Sequence, residues 1–133
     1  MDLPSAEDTV KLGEDLAPSL YPNLVIALEG ELGAGKTTFV RGILKGLGSN
    51  DQAQSPTFNL LHIYQAKLPV FHFDLYRLKG IEEFRSLGFE EYFEAGGVCL
   101  IEWSERITPL LPKNHWKLHL EPDQEGRKAL LWA

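Results

Sequence analysis

The chain has a single cysteine, Cys99, so no disulfide can form within it and a small scaffold stapled by disulfides is excluded. Cys99 lies inside the apolar run VCLI, where a buried strand residue is expected. Basic clusters are equally scarce. No Lys/Arg run exceeds the dipeptide Arg127-Lys128, and 13 basic residues against 19 acidic ones leave a net charge of -6. A protein that grips RNA or DNA by itself needs a basic face to release counterions from phosphates, so direct DNA or RNA binding is not expected. No apolar run approaches the roughly 18 residues of a membrane span, and the opening MDLPSAEDTV has neither a basic n-region nor an apolar h-region. The expectation is a soluble protein of a reducing compartment, the cytoplasm, with no membrane association. The four histidines, His62, His72, His115 and His119, show no spacing with Cys or carboxylates that argues for zinc, and they are read as structural.

What the sequence does contain is concentrated in IALEGELGAGKTTFVRGILKGLG, residues 26–48. Gly30, Gly35, Lys36 and Thr37 fit the pattern G-x-x-x-x-G-K-[ST], and they sit between an apolar run and a helical pattern, as a phosphate-binding loop requires. At 133 residues the chain is expected to be one domain, residues 1–133, with one core. Ser5 followed by Asp8 resembles a capping box, and Val10, Leu12, Leu16 and Leu20 predict a helix over residues 5–20. NLVIALEG reads as a parallel strand covered on both faces. After the loop, Phe39, Val40, Ile43, Leu44 and Leu47 recur at helical spacing, and Gly48 is placed to end that helix in a left-handed cap.

SPTFNLLHIY and LPVFHFDLY are β-prone and separated by QAK, which predicts an antiparallel hairpin. IEEFRSLGFEEYFEAGG predicts one or two short helices, broken near Gly88 and closed by Gly96 and Gly97, and VCLIEW then supplies a central strand. HWKLHLEP alternates Trp116, Leu118 and Leu120 with polar residues, and with RKALLW it predicts a C-terminal hairpin. The fold class is α/β: a P-loop NTPase three-layer fold with a mostly parallel central sheet and antiparallel hairpin additions.

The loop chemistry follows from its parts. Unpartnered backbone N–H groups of residues 30–36 point at a triphosphate, Lys36 adds a charge across the terminal phosphates, and the Thr37 hydroxyl ligates Mg2+. An acidic residue at the end of a neighbouring strand is also needed on the metal side. VCLIE ends in Glu102 after four uninterrupted apolar residues and is preferred; VFHFD ends in Asp74, but His72 interrupts its run. Asp74 is then either an exposed carboxylate paired with Arg77 or a group that orients water near the metal. Ser55-Pro56-Thr57 is either a plain loop or a switch in which Thr57 reaches the magnesium or terminal phosphate. Trp103 is a core aromatic, a neighbour of the nucleotide, or both. No Asn-Lys-x-Asp stretch and no Asp-x-x-Gly switch is present, which favours ATP over GTP, and no compact arginine-bearing lid of a small-molecule kinase stands out.

GELGAGKTTFVRG, SPTF, HFDLYRL, LGFEEYF and LIEWSER, in this order and spacing, resemble the bacterial TsaE (YjeE) family, the ATPase of tRNA threonylcarbamoyladenosine biosynthesis, over nearly the whole chain. The resemblance implies a role in modifying the adenosine beside the anticodon in tRNAs that read codons starting with A. It implies a partner, the TsaD–TsaB heterodimer, through which tRNA is met indirectly, and ATP hydrolysis that drives or resets that complex without transferring the threonylcarbamoyl group. An acidic factor that docks on a protein complex needs no basic RNA-binding face. By position the resemblance assigns Thr37 and Glu102 to magnesium. It assigns Gly33, Ala34, Gly35, Lys36, Thr37 and Thr38 to the phosphate loop, and places Thr57, Asp74 and Trp103 near the nucleotide. Glu31 stands where the family often has Asp, and Ser104 where Pro often follows the Glu-Trp pair. A small-molecule kinase, and a module in which ATP serves only assembly, remain as alternatives.

Overall fold

Val25–Glu29 (β2) and Val98–Glu102 (β5) are the two most apolar segments, and they lie side by side as parallel strands, Leu28 opposite Glu102. Burial on both faces explains why neither alternates polar and apolar residues. The structure, a computed structural model, describes residues 2–30, 35–50, 60–123 and 126–133. Val70–Asp74 (β4) runs parallel to β5 on one side, and Trp116–Asp123 (β6) runs parallel to β2 on the other. Antiparallel partners extend both ends of this parallel core: Leu61–Tyr64 (β3) against β4, and Gly126–Trp132 (β7) against β6. Asp2–Leu3 (β1) closes the far edge against Arg127 and Lys128, giving the order β1-β7-β6-β2-β5-β4-β3. Both expected hairpins form; the β1 pairing, only two residues long, had no sequence signal.

Helices cover the two faces. Ala6–Leu16 (α1) opens with a complete capping box: Ser5 N–H donates to Asp8 Oδ2 at 3.0 Å, and the Asp8 N–H reaches Ser5 Oγ. The helix expected to reach residue 20 gives way after Leu16 to a 3-10 turn, Ala17–Ser19. Pro18 explains the change, because it has no N–H to continue the ladder of bonds to the residue four back. Lys36–Gly46 (α2) ends as expected at Gly48, whose φ is 74°, with Ser49 N–H bonded to Leu44 O at 2.9 Å and Gly48 N–H to Lys45 O at 3.1 Å. This is a Schellman motif, which satisfies the last carbonyls of the helix. Ile81–Ser86 (α3) and a 3-10 helix, Phe89–Glu94, are broken at Gly88 as predicted.

Apolar side chains fill both interfaces. On one face Ile26, Leu28, Leu100 and Leu118 meet Phe39, Val40, Ile43 and Leu44 of α2, all at most 1% exposed. On the other, Phe73, Cys99 and Ile101 meet Leu75, Phe84 of α3 and Ile107. The helical layer over the first face is drawn tight by glycine. A Cβ added to Gly42 of α2 would lie 2.1 Å from Val10 O, and one added to Gly13 of α1 would lie 2.6 Å from Phe39 O, so the two helices touch backbone to backbone. That contact fixes the height of α2, and therefore of Lys36 at its amino end.

Candidate nucleotide site

The carboxyl ends of β2, β5 and β4 meet the amino end of α2, the place where open α/β sheets bind ligands. Gly35, in the left-handed region at φ 100°, turns the chain into α2; a Cβ there would meet nothing nearer than Thr9 Cγ2 at 3.7 Å, so the backbone angle and not crowding calls for glycine. The first turn of α2 differs from that of α1. It has no side-chain cap and no acidic residue among its first positions, whereas α1 carries Ser5, Glu7 and Asp8. Uncapped amides at the positive end of an eleven-residue helix favour an anion.

Lys36 and Glu102 face each other across this point. The Lys36 ammonium donates to Gly30 O at 2.8 Å and lies 3.5 Å from Glu102 Oε1, with the two residues 7% and 6% exposed. The other carboxylate oxygen, Oε2, is 2.6 Å from Nε2 of His72, which is fully buried in β4. Burial by itself pushes the Glu102 carboxyl up. The hydrogen bond and charge of His72, together with Lys36, outweigh that and hold the group below its ordinary value, so it is ionised at neutral pH. The carboxylate can then only accept, which puts a proton on His72 Nε2.

Asp74 is the register partner of Glu102 on β4. It is half-buried, accepts the Tyr76 N–H at 3.1 Å, and titrates above its ordinary value, first because of burial and then because of the Glu102 charge, against the Tyr76 bond. The two strand-end carboxylates are therefore not equivalent. Glu102 is the deeper and the more firmly ionised. Trp103 follows at φ 60°, an uncommon backbone for a bulky residue. Its ring packs against that of Tyr76, centroids 5.0 Å apart and planes tilted by 56°, and lies beneath two cations, Lys36 Nζ at 5.7 Å and the Arg106 guanidinium at 5.9 Å. Trp103 is thus partly buried against the core and lies close to Lys36.

The structure thus gathers Gly35, Lys36, Thr37, Thr38, Asp74, Glu102 and Trp103 around the amino end of α2 and the strand ends beside it. Gly33, Ala34 and Thr57 lie outside the described residues. His72 is the residue that sequence reasoning missed. Its signal was present: it is the one polar residue inside VFHF, two positions before Asp74 and so on the same face of the strand. Oxygen donors suit magnesium, and Thr37 with Glu102 supplies a hydroxyl and a carboxylate while leaving positions for phosphate oxygens and water. Among the described residues no cluster of three or more His, Cys, Asp or Glu is arranged to hold a metal, so protein side chains alone do not form a cage here.

Residues 3–129 match the family model described as threonylcarbamoyl adenosine biosynthesis protein TsaE. The chain is 39% identical over 129 residues to the tRNA threonylcarbamoyladenosine biosynthesis protein TsaE of Treponema pallidum, covering 97% of this chain and 96% of that one. It is 50% identical over 121 residues to the protein of that name from Rickettsia conorii, covering 90% and 69%, and 41% identical over 128 residues to that from Bacillus subtilis, covering 96% and 80%. Its fold superposes on the crystal structure of Bacillus subtilis YdiB with a TM-score of 0.76 at 34% identity, over 94% of this chain and 78% of the other.

Proposed function

The chain belongs to the TsaE family of threonylcarbamoyl adenosine biosynthesis proteins, and from that premise we propose that it is the ATP-binding, ATP-hydrolysing subunit of tRNA threonylcarbamoyladenosine biosynthesis. It acts in the cytoplasm on a TsaD–TsaB heterodimer and meets tRNA indirectly through that complex. The modification it serves is threonylcarbamoylation of the adenosine adjacent to the anticodon in tRNAs reading codons that start with A. The observation that carries this reading is the pairing of Lys36 with an ionised, deeply held Glu102 at the uncapped start of α2.

In this proposal the amides at the start of α2 and the loop before it hold the phosphates of ATP, and Lys36 leaves Gly30 O and Glu102 to engage the terminal phosphates. A cleft of about 200 Å³ beside Gly35 and Thr38, walled by Leu3, Pro4, Ala6 and Thr9, adjoins the start of α2, and the nucleoside end would lie against it. Thr37 and Glu102 hold magnesium. When bound there, magnesium would supply neutralisation of the charge that develops on the phosphate oxygens during transfer. Asp74, at the rim and with its carboxyl raised, orients the attacking water. Because Lys36 is tied to two acceptors inside the protein, the engaged arrangement has to be won against an existing one. That supports slow turnover alone and stimulation by partners.

Calorimetric titration with ATP and magnesium tests the site. Lys36→Ala removes a charge-assisted bond worth about 1.5–3 kcal/mol, so affinity should fall roughly 10- to 150-fold. An unchanged affinity would remove Lys36 from the site and the proposal with it. Following the γ-phosphate separates the kinase alternative: it should appear as free phosphate and not on a metabolite.

A further inference from the structure

The contacts of Glu102 divide cleanly between its two oxygens: Lys36 takes Oε1 and His72 takes Oε2. Resting on the proposed role of Glu102, we propose that His72 is a positioning residue that fixes Oε2, so that Oε1 is the oxygen exchanged from Lys36 to magnesium when nucleotide binds.

Three observations support it. First, His72 is wholly buried on the face of β4 that also carries Val70 and stands beside Leu100 of β5, both core residues, a place where an apolar side chain is the ordinary occupant. Second, its Nδ1 is buried with no hydrogen-bond partner among the described residues, so the fold tolerates an unsatisfied polar atom in order to keep the ring. Third, the bond that does form is short and goes to one carboxylate oxygen only, at 2.6 Å, whereas Lys36 stands off at 3.5 Å from the other. The shorter contact is the fixed one and the longer is the exchangeable one. A carboxylate held at one oxygen keeps its orientation when the partner of the other changes, as with the outer partners that orient metal ligands generally. His72 touches neither nucleotide nor metal in this scheme and acts through Glu102.

The test separates reach from polarity. A glutamine at this position can place its amide N–H where Nε2 stands; an asparagine of similar polarity reaches only the position of Nδ1. ATP affinity is measured by calorimetry for the wild type, His72→Gln and His72→Asn, once with magnesium and once with EDTA, alongside thermal unfolding. The gain in affinity on adding magnesium should survive in His72→Gln. In His72→Asn it should fall by about 10- to 100-fold, the range for loss of an outer partner of a metal ligand, with EDTA affinity unchanged. Equal gains in both variants would overturn the role of His72 while leaving the nucleotide site intact. Equal losses in both, at matched unfolding temperatures, would overturn it too, by showing that ring packing and not the bond to Oε2 is what matters. A wild type that binds no ATP under either condition would refute the site itself.

Discussion

Replacing Gly42 with alanine reverses the usual sign of a helix substitution. In an exposed helix interior, Gly→Ala stabilises by up to about 1 kcal/mol through backbone entropy. Here the new methyl would meet Val10 O at 2.1 Å, Val10 C at 2.8 Å and Val10 Cα at 3.0 Å, all backbone atoms of the facing helix. No side chain can swing aside to make room, so α1 and α2 must separate by more than about 1 Å, against an interior that has little slack. Overpacking of this kind costs about 1–3 kcal/mol, and a backbone collision belongs at the upper end. Subtracting the entropic gain leaves a net loss near 2 kcal/mol, or roughly 6–10 °C in Tm for a chain of this size. Thermal unfolding followed by circular dichroism reads it directly. Lys45→Ala, on the exposed side of the same helix with a surface ion pair to Glu14, is the control and should move Tm by only about 1–2 °C. A Gly42→Ala protein as stable as the wild type would refute the backbone-to-backbone account of how α2 is seated.

Burial pushes the Cys99 thiol up to about 12, so it should resist Ellman's reagent at pH 8 in the folded protein and react at once in denaturant. Its folded value lies above the ordinary 9.0, so its contribution to stability is intact below pH 9 and is lost as pH rises toward 12; rapid labelling of the native protein would contradict this. Glu102→Gln removes the counter-charge of Lys36, and ATP affinity in EDTA should hold or rise while magnesium-dependent hydrolysis falls. Full hydrolytic activity in that variant would move the metal role to Asp74. Phe84→Ala empties a fully buried site ringed by Phe73, Phe89 and Phe93, and urea unfolding should show a loss of about 3–5 kcal/mol.

Much of this arrangement was legible in the residues because local chemistry and global position agree. The run VCLIE ends in Glu102 for the same reason that it is a central strand, and the glycines at 48, 88 and 96 mark turns that demand a left-handed backbone. The seating of α1 on α2 was not legible, since Gly13 and Gly42 read as weak points in two helices until each is seen against the other's backbone. Nor was the bond between His72 and Glu102, residues thirty apart that meet only once β4 and β5 adopt their parallel register. Contacts set by strand register lie beyond periodicity, which reports faces and not partners.

The most direct test of the central assignment is phosphate release from ATP by the purified protein, measured alone and then with TsaD, TsaB and tRNA. The expected result is slow release alone and strong stimulation by the partners, abolished by Lys36→Ala. Release that is the same with and without them would contradict a partner-driven ATPase.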